Sequence, residues 1–360
     1  MPQDYAGEAL TFRIANVESN QFPLTTERIA NKKIRLPERH HYARHSLHGL
    51  NLFLNQVAQQ FPVLLGIGQS TTNFLANQSL ATAQDSMVVM AQNQTAAVAI
   101  TTLETRPDGI RVQAKVTNET GHNLPSGVGF RRMFLELLVV ASDGTVLWAS
   151  GRTNDVGAIV KGTTDEVLHS EQPLEFPDEP IQPHYQTIAS EDQVQIYQEL
   201  YRDSAGRLTT SFLRRFQAVK DNRIRPQGYD PARFKKSASP YIAALAETVG
   251  EAKYDPYYID PKLTGSDEIE YRIKLDPAQL AQVDHVKLTL YSQSIPPFYL
   301  QERFADAGHG VRKQDQIERL YYMGSHLNVD GATDEEGRAV LADWKLFVVS
   351  AERSLHSSRP

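Results

Sequence analysis

Four of the eleven histidines fall within nine residues, in the run Arg39-His40-His41-Tyr42-Ala43-Arg44-His45-Ser46-Leu47-His48-Gly49-Leu50-Asn51. Neutral imidazole is the commonest side-chain ligand for transition metals and it also coordinates haem iron. His41 and His45 are four apart and His45 and His48 three apart, so a helix over this stretch would place them on one face. The same spacing suits zinc or copper. Another histidine, His122, sits in Val116-Thr117-Asn118-Glu119-Thr120-Gly121-His122-Asn123-Leu124-Pro125-Ser126-Gly127, between two alternating runs, which puts it at the rim between two strands. The plain alternative for each histidine is a surface or hydrogen-bonded side chain. His169 and His184, in a Gly-, Asp-, Glu- and Pro-rich run over 151–184, lie within reach of a metal or haem only in principle.

Other chemistry is excluded. The chain has no cysteine, which removes disulfides, thiolate metal sites, a cysteine nucleophile and the Cys-x-x-Cys-His attachment of c-type haem. It carries no phosphate loop, dinucleotide fingerprint, zinc-protease helix or nucleophilic triad, so no catalytic residue is assigned. Lys220-Asp221-Asn222-Arg223 looks like a tetrad but has no nucleophile beside it; the physical reading is that Asp221 and Asn222 cap a turn while Arg223 pairs with a carboxylate between sheets. Met87 and Met90 lie on an apolar helical stripe, where packing explains them better than ligation.

With 360 residues, 41% hydrophobic, the chain can bury a sizeable core. Its net charge of -6 comes from nearly balanced acids and bases, so no basic field points to nucleic acid. No stretch approaches the roughly 20 apolar residues of a membrane span, and Met1-Pro2-Gln3-Asp4-Tyr5 lacks the features of a signal peptide.

The elements that would position these residues follow from periodicity. Residues 1 to about 40 lack it and read as an extended arm. Leu50, Phe53, Leu54, Val57 and Phe61 define an amphipathic helix stopped before Pro62, and 70–94 a longer one capped by Ser70 or Thr71. Beyond Thr95 the period becomes alternating: 97–100 and 110–116 flank an Arg106-Pro107-Asp108-Gly109 turn, and 133–140 turns through Ser142-Asp143-Gly144-Thr145 into 146–149. Two hairpins joined across a histidine-bearing turn suggest a sandwich. Strands follow at 193–200, 208–213, 268–275, 286–291 and 344–350, with helices at 241–249, 298–304 and 315–322. The expected class is mainly β (α+β): an antiparallel β-sandwich over 95–360, with an arm and a linking helix pair over 1–94 and short carboxy-terminal helices.

Asn118-x-x-Gly121-His122-x-Leu124-Pro125-Ser126-Gly127 followed by Arg131-Arg132 resembles the carboxy-terminal β-rich portion of periplasmic multihaem c-type cytochromes. The resemblance extends to His45-Ser46-Leu47-His48-Gly49-Leu50-Asn51, with Leu47 at the family's aromatic position, to Gln193-Val194-Gln195-Ile196-Tyr197 with Lys220 to Gly228, and to Tyr291-Ser292-Gln293-Ser294-Ile295-Pro296-Pro297 with Asp343-Trp344. Met1-Pro2 looks like the continuation of a haem motif, so the chain reads as truncated, its haem-bearing half absent.

The resemblance implies an electron-transfer scaffold, not an enzyme with its own active site. His45 and His122, with His41 and His48 as further candidates, would supply distal axial ligands to haem c held by the intact parent or a partner cytochrome subunit. Other redox proteins would be its partners, and the periplasm or cell exterior its place. Two other functions stay open: a β-sandwich that binds protein or glycan with structural histidines, and a metal-binding protein built on His40, His41, His45 and His48.

Overall fold

The computed structural model describes residues 4–5, 8–9, 11–13, 36–40, 49–67, 73–179, 181–235, 248–305, 314–329, 332–334 and 337–355. They belong to two compact units, Met1–Leu47 and His48–Pro360. In the first, the described residues form two antiparallel ladders: β1 (Asp4–Tyr5) with β2 (Glu8–Ala9), and β3 (Phe12–Arg13) with β4 (Glu38–Arg39).

The second unit is a sandwich of two sheets. In the smaller, β5 (Ala96–Arg106), β6 (Gly109–Asn118), β13 (Ser266–Lys274) and β9 (Thr187–Ile188) lie in that order, antiparallel except for β9 on β13. The larger runs β11 (Leu208–Thr209), β10 (Ile196–Arg202), β7 (Arg132–Ala141), β14 (Val283–Gln293), β16 (Lys345–Ser354), β15 (Leu341–Ala342); β8 (Val146–Ser150) adds to β7 and β12 (Gln217–Asp221) to β10. The turn that carries His122 joins β6 of one sheet to β7 of the other.

Strand alternation explains the core. Val112, Ala114 and Val116 of β6 and Ile269, Tyr271 and Ile273 of β13 face Leu135, Leu137 and Val139 of β7 and Leu288 and Leu290 of β14, all buried. β7 is apolar almost throughout because its other face is covered too: Phe134 packs with Ile159, Leu168, Val194 and Ile196. The Gly-, Asp-, Glu- and Pro-rich run 151–184 supplies this cover, since it lays Ile159 and Leu168 on the outer face of the large sheet.

Helix α1 (Leu52–Gln60) ends before Pro62, which opens a separate turn, α2 (Pro62–Leu65). Leu52 and Phe53 pack with Val88 and Ala91 of α3 (Asn73–Gln94) and with Val340, Leu341 and Leu346. So the helix pair of 50–94 lays its apolar stripe on the carboxy-terminal hairpin. The strand expected over 208–213 shrinks to Leu208–Thr209, and most of the helix expected over 241–249 lies outside the described residues. Helices Pro297–Ala305 and Gln314–His326 occupy the expected places.

Candidate functional site

The turn after β6 is built around one buried amide. Asn118 Nδ2 donates to the carbonyls of His122 (2.8 Å), Ile224 (3.0 Å) and Arg225 (3.2 Å), while Oδ1 accepts from the Thr120 N–H at 2.8 Å. Leu124 and Ile224 exchange both backbone hydrogen bonds, at 2.9 and 2.8 Å. Arg131 closes the far side on Asn51 Oδ1 at 2.6 Å. An Asn, whose side chain mimics a peptide group, holds such a turn by satisfying its carbonyls without water.

His122 stands exposed on this turn. Its Nδ1 lies 3.1 Å from the Asn123 carbonyl oxygen and 3.1 Å from Thr120 Oγ1. A carbonyl only accepts, so the proton of the neutral ring belongs on Nδ1, and the lone pair on Nε2, which has no partner among the described residues. A ring whose Nδ1–H is anchored to a carbonyl while Nε2 faces out is the arrangement of an iron or zinc ligand. A Cβ at Gly121 would meet nothing within 4 Å, so the chain's own packing does not demand that glycine.

Of the other candidates, His40 is exposed, 3.7 Å from Glu38 and 3.5 Å from Thr11 Oγ1. His41, His45 and His48 lie outside the described residues. The adjacent arginines part company: Arg131 serves the turn, whereas Arg132 is buried, with both Nη atoms 2.6 Å from Glu171 and Nε 2.7 Å from Gln293 Oε1.

A buried polar node joins His184 to two carboxylates that the sequence did not single out. His184, Asp255 and Asp267 are buried together, with His184 Nε2 3.0 Å from Asp255 Oδ2 and 3.8 Å from Asp267 Oδ1. Their spacing would admit a metal ion, but the far side of the ring decides against it. His184 Nδ1 faces Gln195 Nε2 at 2.9 Å and Asn222 Nδ2 at 3.3 Å. Neither amide can be flipped: Gln195 Oε1 accepts from the Tyr185 N–H and Asn222 Oδ1 from the Gln198 N–H. Nδ1 is thus an acceptor, Nε2 carries the proton toward Asp255, and no lone pair is left there for a metal.

The two carboxyls differ. Burial alone would raise Asp255, but hydrogen bonds from His184 and the Tyr257 N–H outweigh it and hold it below the usual value. Burial pushes Asp267 up, against the pull of His184; its Oδ2 accepts from Tyr197 and Gln195, and its Oδ1 has no hydrogen-bond partner. In the Lys220 to Arg223 run, Arg223 does meet carboxylates, Asp221 and Glu199, but both belong to strands of the large sheet and not to two sheets, and Asn222 caps no turn: it is fully buried and ties the Ile196 carbonyl to His184. Asp255 could have been noticed only as the N-cap before Pro256; nothing in sequence links it to His184.

No family model and no curated protein matches the chain. A penta-haem cytochrome c552 from Thermochromatium tepidum is similar over 74% of this chain and 41% of that one, with 15% identity and a TM-score of 0.37. The chain thus spans less than half of that cytochrome, and a likeness of this size decides nothing about the site.

Proposed function

We propose that this chain is a non-catalytic β module of a multihaem c-type cytochrome, and that His122 offers Nε2 as a distal axial ligand to a haem carried by another segment or subunit. The observation that carries the reading is the exposed His122 residue, its Nδ1 against the Asn123 carbonyl and its Nε2 without a partner among the described residues. Four separated sequence motifs resembling that family support it, as does the rigid Asn118-centred turn, because a preorganised ligand loses little freedom on coordination. His45, with His41 and His48, stands as a further candidate ligand. With no cysteine, the chain attaches no haem of its own by thioether bonds. Haem iron, when held, supplies one-electron chemistry; this chain orients the imidazole and keeps its proton on Nδ1. Partners are then a haem-bearing segment and redox proteins, at the periplasmic or outer face of the cell.

A haem peptide with one histidine ligand and an open sixth position tests this. Titrated into the full chain, it is expected to pass from high to low spin in the Soret band and in electron paramagnetic resonance. His122→Ala should weaken that conversion at least tenfold with no change in the unfolding midpoint. Absence of conversion, or conversion indifferent to His122→Ala, refutes the reading.

A further inference from the structure

Asp343 and Trp344, with φ of 46° and 56°, are the non-glycine residues of left-handed backbone among those described. They form the two-residue turn between β15 and β16, where Ala342 pairs with Lys345. Such turns favour Asn-Gly, and an indole-bearing residue there costs about 1 kcal/mol or more. The surroundings impose it. Trp344 Nε1 donates to the Ile295 carbonyl at 2.9 Å, the ring lies 4.7 Å from Phe53, and its carbonyl accepts from Gln293 Nε2 at 3.1 Å.

The turn places Asp343 and Lys345 beside an open cleft of about 330 Å³ on the outer face of the large sheet. Glu136 of β7, Tyr291 of β14 and Phe347 of β16 line it from the sheet, and Arg152 and Thr153, from the run after β8, line it from the other side. The volume is at the small end of what ligand sites enclose.

The cations of this cleft are poorly used by the protein. Lys345 Nζ donates to Thr153 Oγ1 at 2.7 Å, while Glu136 Oε2 at 3.7 Å and Asp343 Oδ2 at 4.0 Å are too far for hydrogen bonds. Arg152 spends one N–H on the Gly162 carbonyl at 3.2 Å. An ammonium has three donors and a guanidinium five, so two on Lys345 and four on Arg152 have no protein acceptor among the described residues. Burial pushes the Glu136 carboxyl up against the pull of Lys345 and Arg152, and Lys345 stands 3.7 Å from it, beyond hydrogen-bond reach.

We propose that this cleft binds a small organic monocarboxylate, held by Arg152 and Lys345 with its short apolar tail toward Phe347 and Tyr291. Guanidinium and carboxylate match as planar forks. Glu136 and Asp343, near Lys345, repel a second negative charge, which selects a monoanion over sulfate or phosphate. Lys345 lies over the Tyr291 ring, 4.5 Å from its centre, so cation and aromatic wall are already joined.

Calorimetric titration of the full chain with propionate and with sulfate decides the matter. Saturable propionate binding is expected, with sulfate at least tenfold weaker. Arg152→Gln, at a half-buried position, should weaken propionate at least tenfold with the unfolding midpoint unchanged. Lys262→Gln, removing an exposed cation that does not line the cleft, should leave binding intact. No saturable propionate binding, equal affinity for sulfate, or undiminished binding by Arg152→Gln overturns the proposal.

Discussion

Lys220→Met should stabilise the protein at neutral pH, and the gain should shrink as pH rises. Lys220 is 1% exposed and donates to two carbonyls, of Gln182 and Ile196, each at 2.8 Å, with no carboxylate on it. Burial, helped by the Arg132 charge, lowers its ammonium from 10.5 to about 7. For a base whose folded value is depressed, the unfolded chain holds the extra proton between these two values, so stability rises with pH across that window. Linkage puts the cost of keeping Lys220 folded at about 4 kcal/mol at pH 7 and about 2 kcal/mol at pH 9. Methionine keeps most of the stem and has no charge. It strands the Gln182 carbonyl, at roughly 1–3 kcal/mol, but not that of Ile196, which still accepts from Asn222 Nδ2 at 2.9 Å. The net gain expected at pH 7 is then about 2 kcal/mol, falling by about 2 kcal/mol at pH 9. Urea unfolding of both proteins at the two pH values reads it directly. A stability difference that is the same at both would show that Lys220 titrates normally and refute the reasoning.

Asn118→Ala should cost about 2–3 kcal/mol by removing the shared partner of several turn carbonyls, and slow-exchanging amides of Thr120 and Leu124 should become fast by hydrogen exchange. Arg132→Met strands buried Glu171 and should cost about 3–5 kcal/mol, with Arg132→Met/Glu171→Gln recovering part of it, measured by chemical denaturation. At neutral pH Asp255→Asn should destabilise by about 2–3 kcal/mol, whereas Asp267→Asn should be neutral or stabilising, since Asp267 is held up by burial and Asp255 is held down. The signs differ on acidification: the Asp255 contribution is present above the ordinary value of 3.8 and lost as pH falls through its lower folded value, while protonating Asp267 on the way down favours the fold. Acid unfolding curves of the two variants that superimpose would contradict this.

The amino-acid order by itself determined the sandwich. Alternation over 97–116 and 133–149 marks one buried face per strand, and the small-residue turn between them must cross from one sheet to the other, so His122 at a rim was legible from residues 116–127 alone. The same holds for the helices, because Leu50, Phe53, Leu54 and Val57 repeat at the helical period. What the order of residues did not reveal is which polar groups meet. His184 reaches Asp255 and Asp267 across 71 and 83 positions, and the sandwich alone brings them together. Lys345 meets Glu136 and Thr153 because β7 and β16 flank β14 and the run after β8 folds back over them. Local periodicity encodes which face of a strand is buried; strand order, register and the return of a long connection decide which buried polar atoms become neighbours, and only the assembled fold holds that information.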